Sequence, residues 1–165
     1  IHGTADVVFD STYPIYVFEI INIHPASDNV RCGYNFTTDG TNFNVTKTTT
    51  FITVVHFEND SEGSIGYEPS QDLAQGTGLV SFAPATGNGN DESSSAKLTI
   101  FNPSSTTFVK HFMSRCMGVE SRDIAMDAHV AGYANTTSAL TGVRFQFFSG
   151  DIGSAKIKLY GIKDS

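Results

Sequence analysis

In the run Val30-Arg31-Cys32-Gly33-Tyr34-Asn35-Phe36 every second side chain is apolar or aromatic. Val30, Cys32, Tyr34 and Phe36 point one way, and Arg31 and Asn35 the other. A strand alternates its side chains between two faces, so this spacing gathers the apolar set on one face, where a helix would scatter it. The same beat returns at Val143, Phe145 and Phe147 against Arg144 and Gln146. It returns again at Ile157 and Leu159 against Lys156, Lys158 and Tyr160. One dry face and one wet face is the signature of an antiparallel sheet packed on a second layer. Apolar spacings of three and four, which a helix needs, are nearly absent.

Runs rich in Val, Ile, Thr, Phe and Tyr, broken by Gly, Asn, Asp, Ser and Pro, predict strands along the whole chain. They fall near Ala5–Phe9, Ile15–Ile23, Val30–Thr37, Asn44–Phe57, Leu79–Phe82, Ala96–Phe101, Thr107–Val119, Asp127–Tyr133, Gly142–Phe148 and Ala155–Ile162. About eight to ten strands in a chain of 165 residues predict an all-β fold, an antiparallel, jelly-roll-like β-sandwich formed as one domain over residues 1–165. Asp39-Gly40 carries the chemistry of a tight hairpin turn. Ser149–Gly153 reads as a longer hairpin loop, and Asp10-Ser11-Thr12 as the link between the first two strands. The segment Asn59–Gly78 lacks alternation and reads as a long loop, with one helical turn at Gln71–Gln75. The segment Gly87–Glu92 reads as a second flexible loop. Ile15–Ile23 is apolar on both faces, which calls for a second sheet, another subunit or a covering loop.

Charge narrows the function classes. The net charge is -7 and only 16% of residues are charged. A basic footprint for phosphate backbones is therefore missing, and no nucleic-acid partner is expected. No apolar run approaches the roughly 18 residues of a membrane span, so no membrane insertion is expected. No signal-peptide pattern opens the chain. It begins at Ile1, which leaves processing, trimming or a longer parent polypeptide open.

His2, His24, His56, His111 and His129 form no spaced metal motif, and scattered strand histidines are the simpler reading. No Gly-x-Ser-x-Gly elbow is present. His111 and Cys116 lie at an odd offset on one strand and so face opposite ways. The acidic pairs Asp91-Glu92, Glu58-Asp60 and Glu120-Asp123 fall at loops or strand ends, where carboxylates are usually solvated. The Gly-rich loop with Asn88, Asn90, Asp91 and Glu92 lacks the ordered ligand spacing of a calcium loop. Neither a cofactor nor a resident metal is expected, and the chain is expected not to be an enzyme. Cys32 and Cys116 are read as two buried thiols in preference to a disulfide, with pairing left open. Asn-x-Ser/Thr sequons occur at Asn35, Asn44, Asn59 and Asn135, a weak signal in so Thr-rich a chain.

Five blocks look familiar as a set: Tyr13–Pro25, Thr38–Phe51, Phe101–Phe112, Ala131–Ser138 and Phe148–Ile162. They include the turn Thr38-Asp39-Gly40, the loop Asn102-Pro103-Ser104-Ser105-Thr106 and the closing run Ile157-Lys158-Leu159-Tyr160-Gly161-Ile162. Together they resemble a family of virion structural proteins of tailed bacteriophages, many of them marine. Arg31-Cys32 and Arg115-Cys116 are not positions of that pattern. The resemblance implies a non-enzymatic virion component, assembled in the host cytoplasm with other virion proteins, as a homo-oligomer and by expectation a trimer. Within the particle, a tail-fibre or receptor-binding module touching the host surface is expected. A capsid decoration protein is the alternative, and a stand-alone carbohydrate-binding module, disfavoured by the absence of Trp, a further one. In the receptor-binding reading, the two loops would offer Tyr67, Asn88, Asn90 and Asp91 as contacts to a host glycan.

Overall fold

The computed structural model describes residues 9–164. Its ten strands are β1 (Ile15–Pro25), β2 (Val30–Thr37), β3 (Lys47–Phe57), β4 (Gly63–Tyr67), β5 (Val80–Thr86), β6 (Ser94–Phe101), β7 (Lys110–Glu120), β8 (Ile124–Ala134), β9 (Gly142–Phe147) and β10 (Ile152–Ile162). All pairings are antiparallel, and the fold is the all-β, jelly-roll-like sandwich that the alternation predicts. The strand expected at Ala5–Phe9 lies, apart from Phe9, outside the described residues.

One layer runs β10-β1-β6-β7-β8-β3-β4, and the other β5-β2-β9. A single bridge, Thr86 to Glu120, joins β5 to β7 and makes the ten strands one continuous sheet folded onto itself. Three pairings nest one inside another along the chain: β1 with β10, β2 with β9 and β3 with β8. A long antiparallel ribbon rolled up on itself gives this nesting, which is how jelly rolls and Greek keys are wound.

The inward faces meet in an aromatic core. Phe18, Tyr34, Phe36, Phe82 and Phe112 are all essentially inaccessible. Phe18 of β1 meets Phe145 of β9 edge-on at 5.4 Å, and Tyr34 of β2 meets Phe112 of β7 edge-on at 5.8 Å. Such pairs add roughly 0.5–1.5 kcal/mol each beyond the area they bury. β1 keeps its inner face through a bulge at Asn22, whose φ is 48°. The extra residue lets Ile20 and Ile23, three positions apart, both point inward. Asparagine tolerates that backbone conformation better than most residues. On the outer face of β1, Val17 is buried between its neighbours Tyr160 and Thr99.

Asp39-Gly40 does form a turn, with Gly40 at φ 78° and Asp39 Oδ1 accepting the backbone N–H groups of Thr41 and Asn42. Yet it joins no hairpin, because β2 pairs with β5 and β9 while β3 pairs with β4 and β8. Residues 149–153 likewise carry the chain from β9 to β10, in different layers, and Ile152 and Gly153 already belong to β10. Within Asn59–Gly78, the short strand β4 pairs with β3 from Ile52–Tyr67 to His56–Gly63. Gln71–Gln75 forms no helical turn; it runs beside β3, where Thr49 and Leu73 exchange hydrogen bonds.

Candidate functional site

The loops 26–29, 58–62, 87–93, 121–123 and 148–151 all emerge at one end of the sandwich, because antiparallel strands return there. Beneath them, between β3, β4 and β8 on one side and β5 on the other, lies a cleft of about 360 Å³. Its floor is apolar: Phe51 and Ile124 are buried, and Val55 and Phe57 half-buried. Its polar lining includes Arg31, Glu62, Glu68, Gln71, Glu120 and Arg122.

Each polar group is held by its strand. Glu120 ends β7 with its side chain almost wholly buried and receives two hydrogen bonds of 2.8 Å from Arg122. That fork fixes the guanidinium at the mouth of the cleft. Glu120 is therefore not one of the solvated strand-end carboxylates expected, whereas Asp123 is exposed in the turn that follows. Glu68 accepts a bond from Thr53 at 3.3 Å. A volume of this size, with an apolar floor and a few converging charges, suits one or two sugar rings or a short polar chain.

The four residues expected to contact a glycan do not converge. Tyr67 ends β4 at one edge of the large layer, half-exposed beside Ile52, and its hydroxyl donates to Asp72. Asn88, Asn90 and Asp91 sit in the loop feeding β6, four strands away and so roughly 19 Å from β4 at the usual strand spacing. Asn90 and Asp91 line a shallow polar hollow of about 300 Å³ with Asn22, His24 and Ser154. The loop itself is built round Glu92, whose carboxylate accepts the N–H of Gly89 at 2.6 Å. A Cβ on Gly89 would stand 2.6 Å from that same oxygen, so a larger residue here would push the Glu92 carboxylate aside. Asn88 is tied by its backbone N–H to Asp28.

The remaining chemistry is dispersed. His24 contacts the carbonyl of Glu92 at 2.7 Å, His56 pairs with Asp60, and His129 with Asp127. His2 lies outside the described residues. No cluster of three His, Cys, Asp or Glu able to hold a metal occurs among the described residues. Cys116 points into the core and His111 away from it. Both cysteines are free thiols.

A second surface went unread in the sequence. The outer face of the large layer exposes Ile52, Val54, Met113, Met117, Tyr160 and Ile162. In its middle Arg115 makes two bonds to Asp127, at 3.0 and 2.8 Å, and this ion pair holds the Asp127 carboxyl below its ordinary value. The alternation placed these side chains outward, but only the strand order brings them together.

No family model, curated protein or solved structure matches this chain.

Proposed function

We propose that the chain is a non-enzymatic binding module of a tailed-bacteriophage virion, of the tail-fibre or receptor-binding type, and that the cleft at the loop end receives a surface glycan of the host. The cleft carries this reading: about 360 Å³, with Phe51, Val55, Phe57 and Ile124 along its floor and a mostly polar lining in which the Glu120–Arg122 pair is fixed. The resemblance in Phe101–Phe112 and Phe148–Ile162 supplies the virion context. A glycan contact would come from Arg31, Gln71 and Arg122 more than from Tyr67, Asn88, Asn90 and Asp91.

The test is a panel of bacterial-surface oligosaccharides titrated against the purified chain. A bound sugar should lose at least about tenfold in affinity when Arg31→Ala opens the rim, with no change in melting temperature. Release of shortened sugar would contradict the non-enzymatic part, and unaltered affinity in the variant would move the site elsewhere.

A second reading, a capsid decoration protein, is favoured by one observation. The exposed apolar row on the outer face of the large layer is of the kind that a neighbouring virion subunit covers. Labelling the chain in intact particles and locating it by electron microscopy separates head from tail, and native mass tests the trimer.

A further inference from the structure

Two lysines stand in one row across β3, β8 and β7, on either side of Ala134, with which both Lys47 and Lys110 pair. Both side chains are buried, and neither forms a salt bridge among the described residues. Their surroundings differ. The Lys110 ammonium donates to two backbone carbonyls, of Phe108 at 3.0 Å and Thr136 at 3.1 Å, as an ordinary capped cation does. The Lys47 ammonium donates to the Val45 carbonyl at 2.5 Å and to the side-chain amide oxygen of Asn35 at 2.6 Å.

Asn35 is itself buried, with hydrogen bonds at both its oxygen and its nitrogen. Its Oδ1 also accepts the N–H of Phe36 at 2.9 Å, and its Nδ2 donates to the carbonyl of Thr77 at 2.9 Å. One carbonyl bond of about 1.2 Å separates Oδ1 from Cγ, so Nζ lies no more than about 3.8 Å from the amide carbon. That approaches the separation of a near-attack geometry. The N–H of Phe36 on Oδ1 polarises the carbonyl and stands where negative charge would develop once Nζ has moved to Cγ. Burial pulls the Lys47 amine down to about 8, which raises the share of the nucleophilic neutral form.

We propose that Lys47 and Asn35 are the two halves of an intramolecular isopeptide cross-link. The neutral amine, having given its ammonium proton to water, swings from Oδ1 onto Cγ and forms an Nζ–Cγ bond. Oδ1 takes up the displaced electron pair and is held by the N–H of Phe36. A proton passes from Nζ to Nδ2, the Cγ–Nδ2 bond breaks as the carbonyl re-forms, and the side-chain nitrogen leaves as ammonia. Nothing is oxidised or reduced. The product is a neutral secondary amide, so the buried charge and its desolvation penalty vanish together. The bond ties β2 of the small layer to β3 of the large layer. No carboxylate is hydrogen-bonded to either partner among the described residues, so proton transfer is unassisted and the bond accumulates slowly in the folded chain.

Mass spectrometry of the intact chain, fresh and after prolonged warm incubation at mildly alkaline pH, tests this. Loss of one ammonia, about 17 Da, should grow with time. Trypsin cannot cut after an acylated lysine, so the product should run unbroken from Cys32 to Lys97, about 17 Da light, with no fragment ions between Asn35 and Lys47. Lys47→Arg should keep its full mass. A chain that retains its full mass after incubation overturns the proposal. So does a loss that maps elsewhere or opens with hydroxylamine, as a succinimide does. The peptide map is read on the unaltered chain and does not depend on the variant folding.

Discussion

Cys32 and Cys116 enter the core from opposite layers, one on β2 and one on β7, and both are fully buried. Burial raises both thiols, Cys116 to about 12, so at neutral pH neither forms the reactive thiolate. A thiol reagent at pH 8 should therefore modify neither residue in the folded chain and both in guanidinium; prompt reaction of the native protein would contradict the burial. The alternation in Val30–Phe36 made the depth of Cys32 legible. Lys47 was not legible at all. A lysine in a Thr-rich run reads as solvated until Thr49 and Phe51 fix the register that turns it inward. In Asn35→Ala, which has no amide to attack, Lys47 must keep its amine. In the unaltered surroundings burial holds Lys47 at about 8, below the ordinary 10.5, so this group's own contribution to stability rises with pH between the two values, opposite in sign to the two buried thiols, whose raised values make stability fall as the unfolded chain ionises. The Lys47 part is read from urea unfolding at pH 8 and pH 10 as the difference between Asn35→Ala and Asn35→Ala carrying Lys47→Met, which should lack the rise.

Among the connecting elements, the turn after β2 shows what local sequence does and does not encode. Asp39 accepts from the backbone of Thr41 and Asn42 and from the side chains of Thr37 and Asn42, which holds its carboxyl far below the ordinary value. Its contribution is present above the ordinary carboxylate range and fades as pH falls through that depressed value. Asp39→Ala should lower the melting temperature while leaving the far-ultraviolet circular dichroism unchanged; an unaltered midpoint would show that the turn is held by Gly40 and its flanks alone. The dipeptide marked the turn but not its destination, since hairpin and layer crossover use the same local chemistry. β4 was missed for a related reason. Its two large apolar residues, Ile65 and Tyr67, both face outward, 74% and 51% exposed, so burial left no trace in the pattern.

At the scale of the whole molecule, the fold class was readable because most strands, β4 excepted, announce a dry face of their own. Strand order was not, because β1 with β10, β2 with β9 and β3 with β8 pair across most of the chain. The cleft was unreadable for the same reason: Arg31, Gln71 and Arg122 come from three distant stretches. What binds the layers is the aromatic cluster around Tyr34, and Phe112 is its contribution from β7, reaching Tyr34 at 5.8 Å and Phe36 at 5.1 Å. Phe112→Ala should cost about 3–5 kcal/mol in chemical denaturation, against well under 1 kcal/mol for exposed Phe148→Ala. The outermost pairing has a mechanical consequence. Ile15 lies opposite Ile162, at the same end of the β1–β10 ladder. Tension applied at these two points opens the ladder like a zipper, one rung at a time, where opposed ends would have loaded every rung at once. An assembly that needed this domain to resist a pull would have to grip it somewhere other than beside those two residues.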